Sequence, residues 1–135
     1  MKKNLRSRRI DYGVVSVLKK KKVPSEIKKD IKRGLKAIQN YLKIKKKPKI
    51  YFSDKESENL AEYWGIKKSR PIIVIYTKSL LSSSDDCKEL TIKTIIHEYL
   101  HYFFDKKKLS KIFDISTEEE LIERIEEDVW KGYFC

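Results

Sequence analysis

Only two cysteines, two histidines, one glutamine and three asparagines occur among the 135 residues. Cys87 and Cys135 cannot supply a disulfide framework and make no CxxC metal pair. No apolar run approaches the ~18 residues that a membrane-spanning helix needs. The basic N-terminus is not followed by the apolar stretch of a signal peptide, so the chain reads as cytoplasmic. Scarce amides beside abundant lysine, glutamate and isoleucine are the bias of heat-adapted proteomes.

Charge, by contrast, is plentiful. Asp, Glu, Lys and Arg make up 39% of the chain, and the net charge is +12. Residues 1–50 hold 19 lysines and arginines against Asp11, Glu26 and Asp30, a net +16, which leaves the remainder at −4. That asymmetry fits an anionic partner such as nucleic acid, or a lysine-coated face turned to solvent. No aromatic residue is interleaved with Lys19-Lys20-Lys21-Lys22 or Lys45-Lys46-Lys47, as a single-strand stacking platform would require.

The length suits one domain of about 100–150 residues. Residues 1–23 form a basic segment whose Ile10, Tyr12, Val14, Val15, Val17 and Leu18 fit an edge strand or a short helix. Pro24-Ser25 opens a helix with Ser25 as its cap, and Ile27, Ile31, Leu35, Ile38 and Leu42 recur at helical spacing. Lys49–Phe52 reads as a short strand, residues 59–64 as a weak helix or loop closed by Gly65, and Ile72–Tyr76 as the strongest strand. A helix is expected over 89–105, with Ile92, Ile95, Ile96, Tyr99 and Phe103 on one side. Ser116 with Glu119, or Thr117 with Glu120, caps a last helix whose buried stripe is Leu121, Ile122, Ile125 and Val129. Gly132 is its stop, leaving a tail over 132–135. The expectation is a single α+β domain over residues 24–131.

The chemistry concentrates in His97-Glu98-Tyr99-Leu100-His101. Four residues on a helix return to nearly the same face, so two imidazoles at this spacing can reach one tetrahedral ion. Glu98 sits about 100° round the helix from His97, where it can serve a water rather than the ion. This is the H-E-x-x-H arrangement of zinc peptidases, with His97 and His101 as metal ligands and Glu98 as the catalytic carboxylate.

A catalytic zinc usually has three protein ligands, and the chain has no third histidine, so the missing ligand is a carboxylate. The acidic start of the last helix supplies it. Glu119, at the edge of the apolar stripe, is the preferred ligand, with Glu118 and Glu123 as alternatives. The plain alternative for any of these acids is that they complement the helix dipole. Tyr76, Tyr102 and Tyr133 are candidates for stabilising an oxyanion, and Cys87 reads as structural or incidental.

H-E-x-x-H followed at this distance by a glutamate on a second helix resembles the gluzincin metallopeptidases. With its order of helix, small sheet, motif helix and glutamate helix, the chain is similar in particular to the minigluzincins, over residues 24–131. It departs from the gluzincin pattern in carrying Glu123, not aspartate, four residues after Glu119. The resemblance implies a Zn2+ ion, hydrolysis of a peptide or protein substrate, and an edge strand that pairs with that substrate. Ile72–Tyr76, through Ile73, Val74 and Ile75, is the segment for that role, unless it is an ordinary central strand. The resemblance also implies a latent zymogen, with the C-terminal tail filling the cleft. A thiolate is a good zinc ligand, so Cys135 at the end of that tail is the candidate inhibitory metal contact. Two rival readings remain: a nucleic-acid-associated protein with a structural zinc site, and a non-catalytic interaction domain. Glu98 speaks against both, because a structural zinc site has no use for a carboxylate beside it.

Overall fold

The computed structural model describes residues 24–65, 70–83 and 86–135. The basic segment 1–23, expected as strand or helix, lies outside the described residues. Helix α1 (Ser25–Leu42) forms as its periodicity requires. Ile27, Ile31, Leu35 and Ile38 are buried, and Lys28, Lys29, Lys32 and Lys36 face outward. Pro24, not Ser25, occupies the cap, without a side-chain capping bond. Its backbone is extended (φ −55°, ψ 138°), so the non-helical position falls on the proline and Ser25 enters the first turn.

Three short strands follow: β1 (Lys49–Ser53), β2 (Ala61–Trp64) and β3 (Ile72–Tyr76). They form one sheet in the order β1-β3-β2, with β1 parallel and β2 antiparallel to β3. This corrects two expectations. Residues 61–64 are a strand, and Ile72–Tyr76 is the central strand with both edges paired, so Ile73, Val74 and Ile75 have no free main chain for a substrate. All five β3 residues are buried, the pattern of a strand covered on both faces. Ala61, Tyr63, Ile73 and Ile75 share the face that packs into the helical core.

The short helix α2 (Thr77–Leu81) seats Leu80 in the core and leads to α3 (Cys87–Lys106). Asp86 caps α3 by accepting a hydrogen bond from the Lys88 amide at 3.0 Å. Because Ile92, Ile95, Ile96, Tyr99 and Leu100 are all buried, α3 is the central element, packed against α1, β2 and the last helix. A 3-10 turn (Leu109–Lys111) reverses the chain into α4 (Ile115–Phe134). The α4 cap is Asp114, whose side chain accepts from the Thr117 amide at 2.7 Å, in place of the expected Ser116 or Thr117. No helix among the described residues is long and apolar enough to cross a membrane.

Gly34 lets α1 and α3 meet. A Cβ there would lie 2.5 Å from Ile95 Cγ2 and 2.9 Å from the Ile92 carbonyl oxygen. The side chain could yield, but the backbone oxygen cannot without moving a helix. Gly34→Ala should therefore lower stability by about 1–2 kcal/mol, overpacking outweighing the ~1 kcal/mol gain in helix propensity. The denaturation midpoint measures this, and an unchanged or raised value would contradict the close helix contact.

Candidate metal centre

α3 and α4 face each other with a ladder of polar pairs. At one end Lys93 Nζ lies 2.7 Å from Glu127 and 2.9 Å from Glu89, with the Trp130 ring 5.6 Å away. One turn along α3, His97 Nδ1 lies 2.9 Å from Glu126 Oε1. A further turn along, His101 Nδ1 lies 2.9 Å from Glu118 Oε2. Between these contacts both remaining ring nitrogens meet one carboxylate: His97 Nε2 is 3.2 Å from Glu119 Oε1, and His101 Nε2 is 3.0 Å from Glu119 Oε2. His97, His101 and Glu119 thus offer one ligand atom each, all within 4.8 Å of one another.

The local chemistry favours a cation at that point. A neutral imidazole that donates Nδ1–H to a carboxylate turns its Nε2 lone pair outward. Here both Nε2 atoms face a carboxylate, which is repulsive unless a proton or a metal ion intervenes. His97 Nε2 is buried and makes no hydrogen bond, so its contact with Glu119 has the distance of such a bond without the alignment. Glu126 and Glu118 behind the rings complete the carboxylate–histidine arrangement that fixes tautomer and orientation in metal sites.

Electrostatics follow the same geometry. Burial favours the neutral form of His97, but its contacts with Glu119 and Glu126 outweigh that effect and push its pKa up to about 10. Burial likewise opposes charge on His101, and Glu118 and Glu119 prevail, raising it. Burial alone would lift Glu119, yet the two imidazoles hold it well below the usual carboxylate range. In the metal-free chain the raised His97 pKa adds stability that is complete below about 6.5 and is lost as pH climbs through about 10. The lowered Glu119 pKa adds stability present above 4.5 that fades as pH falls. Metal-free stability should therefore decline on both sides of neutrality. A metal ion bound between these residues would have to displace the imidazole protons, so any affinity should rise with pH across the neutral range. Calorimetric titration in two buffers of different ionisation enthalpy measures the released protons, and binding without release would contradict the arrangement.

Comparison with known proteins adds no relative. No family model, no curated protein and no solved structure matches the chain. The centre therefore rests on its own geometry.

Of the residues expected from the sequence, His97, His101 and Glu119 converge, and Glu98 is buried beside them, close enough for its charge to act on both imidazoles. Glu118 is fully buried and supports His101 from behind. Glu123 is exposed and takes no part; Glu126, seven residues after Glu119, backs His97 instead. Sequence reasoning missed Glu126, although two helical turns return it to the Glu119 stripe.

Cys135 is placed elsewhere. α4 runs through Gly132 to Phe134, so residues 132–134 are helix rather than tail, and Trp130 stacks on Phe134 at 5.2 Å. Sixteen helical residues put Cys135 about 24 Å along the axis from Glu119. It is exposed there and cannot act as an inhibitory metal contact within its own chain. Of the tyrosines, Tyr76 donates to Glu62 on the sheet face away from the core, and Tyr133 is exposed near the end of α4. Tyr102 alone shares a stripe with Glu98, four residues on.

Proposed function

We propose that the chain is a zinc-dependent peptide hydrolase of gluzincin type. The carrying observation is the convergence of His97, His101 and Glu119 from two helices, with Glu98 beside them. Two nitrogens and one carboxylate oxygen suit zinc and leave a coordination position open for chemistry. Bound by that set, zinc would supply Lewis acidity toward a carbonyl oxygen and lower the pKa of water toward ~7. Glu98 accepts a proton from the attacking water and passes it to the amine nitrogen as the carbon–nitrogen bond breaks. Glu118 and Glu126 hold the two rings with Nε2 toward the ion.

A substrate strand needs a free edge, which β3 lacks. β2 has one, since it pairs only with β3 among the described residues, and it lies against α3 through Tyr63 and Tyr102, whose rings are 6.2 Å apart. Main-chain pairing along β2 would lay an extended peptide beside the motif helix.

Elemental analysis paired with digestion of unfolded casein tests the reading. One zinc per chain and fragments that cease to form after chelation are expected. A chain that takes up no divalent metal, or that cuts equally well without it, would sink the proposal.

A further inference from the structure

The Glu98 stripe of α3 continues past the metal centre. Tyr102 and Asp105 follow Glu98 by four and seven residues, which returns both to its side of the helix, about 6 and 10 Å further along the axis. There the end of α3 meets the starts of β1 and β3 and the end of β2 around an open cavity of about 410 Å³.

The cavity is lined by four cations, Lys47, Lys49, Arg70 and Lys106, and by one acid, Asp105. None of the four cations is ion-paired among the described residues. Asp105 is already engaged, accepting a hydrogen bond from Tyr63 at 2.6 Å. Gly65 seals this pair from behind, since a Cβ there would lie 2.5 Å from Asp105 Oδ2. Tyr63 and Tyr102, both buried, give the cavity apolar walls below the charged groups.

We propose that this cavity binds the acidic side chain of a peptide substrate. The inference rests on the peptide-hydrolase reading for the position of the cut bond. A carboxylate is the small anion that uses both parts of the cavity: its methylenes against tyrosine rings, its oxygens among guanidinium and ammonium donors. An extended peptide advances about 3.4 Å per residue, so the acid stands two or three residues from the bond served by Glu98. Because the cations are exposed, each contributes little and selectivity comes from their convergence.

The test uses two fluorescein-labelled peptides that differ only in Glu or Gln at that position. Binding is measured by anisotropy on zinc-loaded Glu98→Gln chain, and cutting by mass spectrometry on wild type. The Glu peptide should bind about tenfold more tightly at low salt, with the advantage shrinking as ionic strength rises. Adding Arg70→Ala and Lys106→Ala should erase that advantage, and Arg70→Glu with Lys106→Glu should invert it. Equal binding of the two peptides, or an advantage that survives both pairs of substitutions, overturns the proposal. An oligonucleotide bound more tightly than the Glu peptide, and weakened by the same substitutions, also overturns it and assigns the cavity to nucleic acid. If both peptides are cut at equal rates, the pocket fails while the hydrolase reading stands. If neither is cut but the charge-dependent binding persists, the pocket stands and the hydrolase reading fails.

Discussion

Glu98→Gln should leave zinc bound at one ion per chain while peptide hydrolysis falls by about 10²–10⁴-fold, the usual contribution of a positioned acid–base group. The separation of the two effects is what makes this variant informative. Glu98 lies about 100° round α3 from His97, so removing its charge takes away the proposed proton acceptor and leaves His97, His101 and Glu119 in place. Glutamine keeps the volume of a side chain that is buried to 95%, so packing should survive. Paired measurements of metal content and casein hydrolysis decide the matter. Retained activity would remove Glu98 from the mechanism, and lost metal would mean that the carboxylate acts on the ion or the fold.

His101→Ala should lower zinc affinity by several orders of magnitude and destabilise the folded chain as well. The truncation deletes one of the three proposed ligand atoms and takes from the fully buried Glu118 its imidazole partner, 2.9 Å away. Breaking a buried charged pair from one side usually costs about 3–5 kcal/mol, since the remaining charge keeps its desolvation penalty. Glu118→Gln separates the two consequences. The amide oxygen can still accept from His101 Nδ1, so the fold should hold while zinc binding weakens by about 10–100-fold. Competition against a chelator of known affinity and a denaturant titration on each variant give both numbers. Undiminished zinc binding by His101→Ala would remove that imidazole from the site.

The helices and the centre of the site were legible because one period governs both. Ile92, Ile95 and Ile96 bury α3, and the same turn-by-turn return brings His97 and His101 to one face. Glu119 followed from its angular place on α4, and Glu126 would have followed from two further turns. The sheet was harder to read. In β2 all four residues are buried, Glu62 included, because Asn59 and Trp64 donate to its oxygens at 2.7 and 2.9 Å. A carboxylate satisfied in this way leaves no apolar–polar alternation in the sequence. The central place of β3 was written in its unbroken apolar run, which an exposed edge strand would not carry. The end of α4 is not legible from Gly132, which suggests a helix stop but lies within the helix.

One arrangement reaches beyond the site. The two imidazoles belong to α3 and Glu119, the third proposed ligand, to α4, and only eight residues, 107–114, connect those helices. α4 itself buries just Glu118, Ile122 and Val129. The ion would therefore act as a clasp on the final twenty residues, and competence for chemistry would track the docking of one thinly anchored helix rather than the survival of the whole core. Inactivation by heat or chelator should then begin with α4 swinging free while α1, the sheet and α3 stay assembled, and amide exchange along α4 would register that early loss.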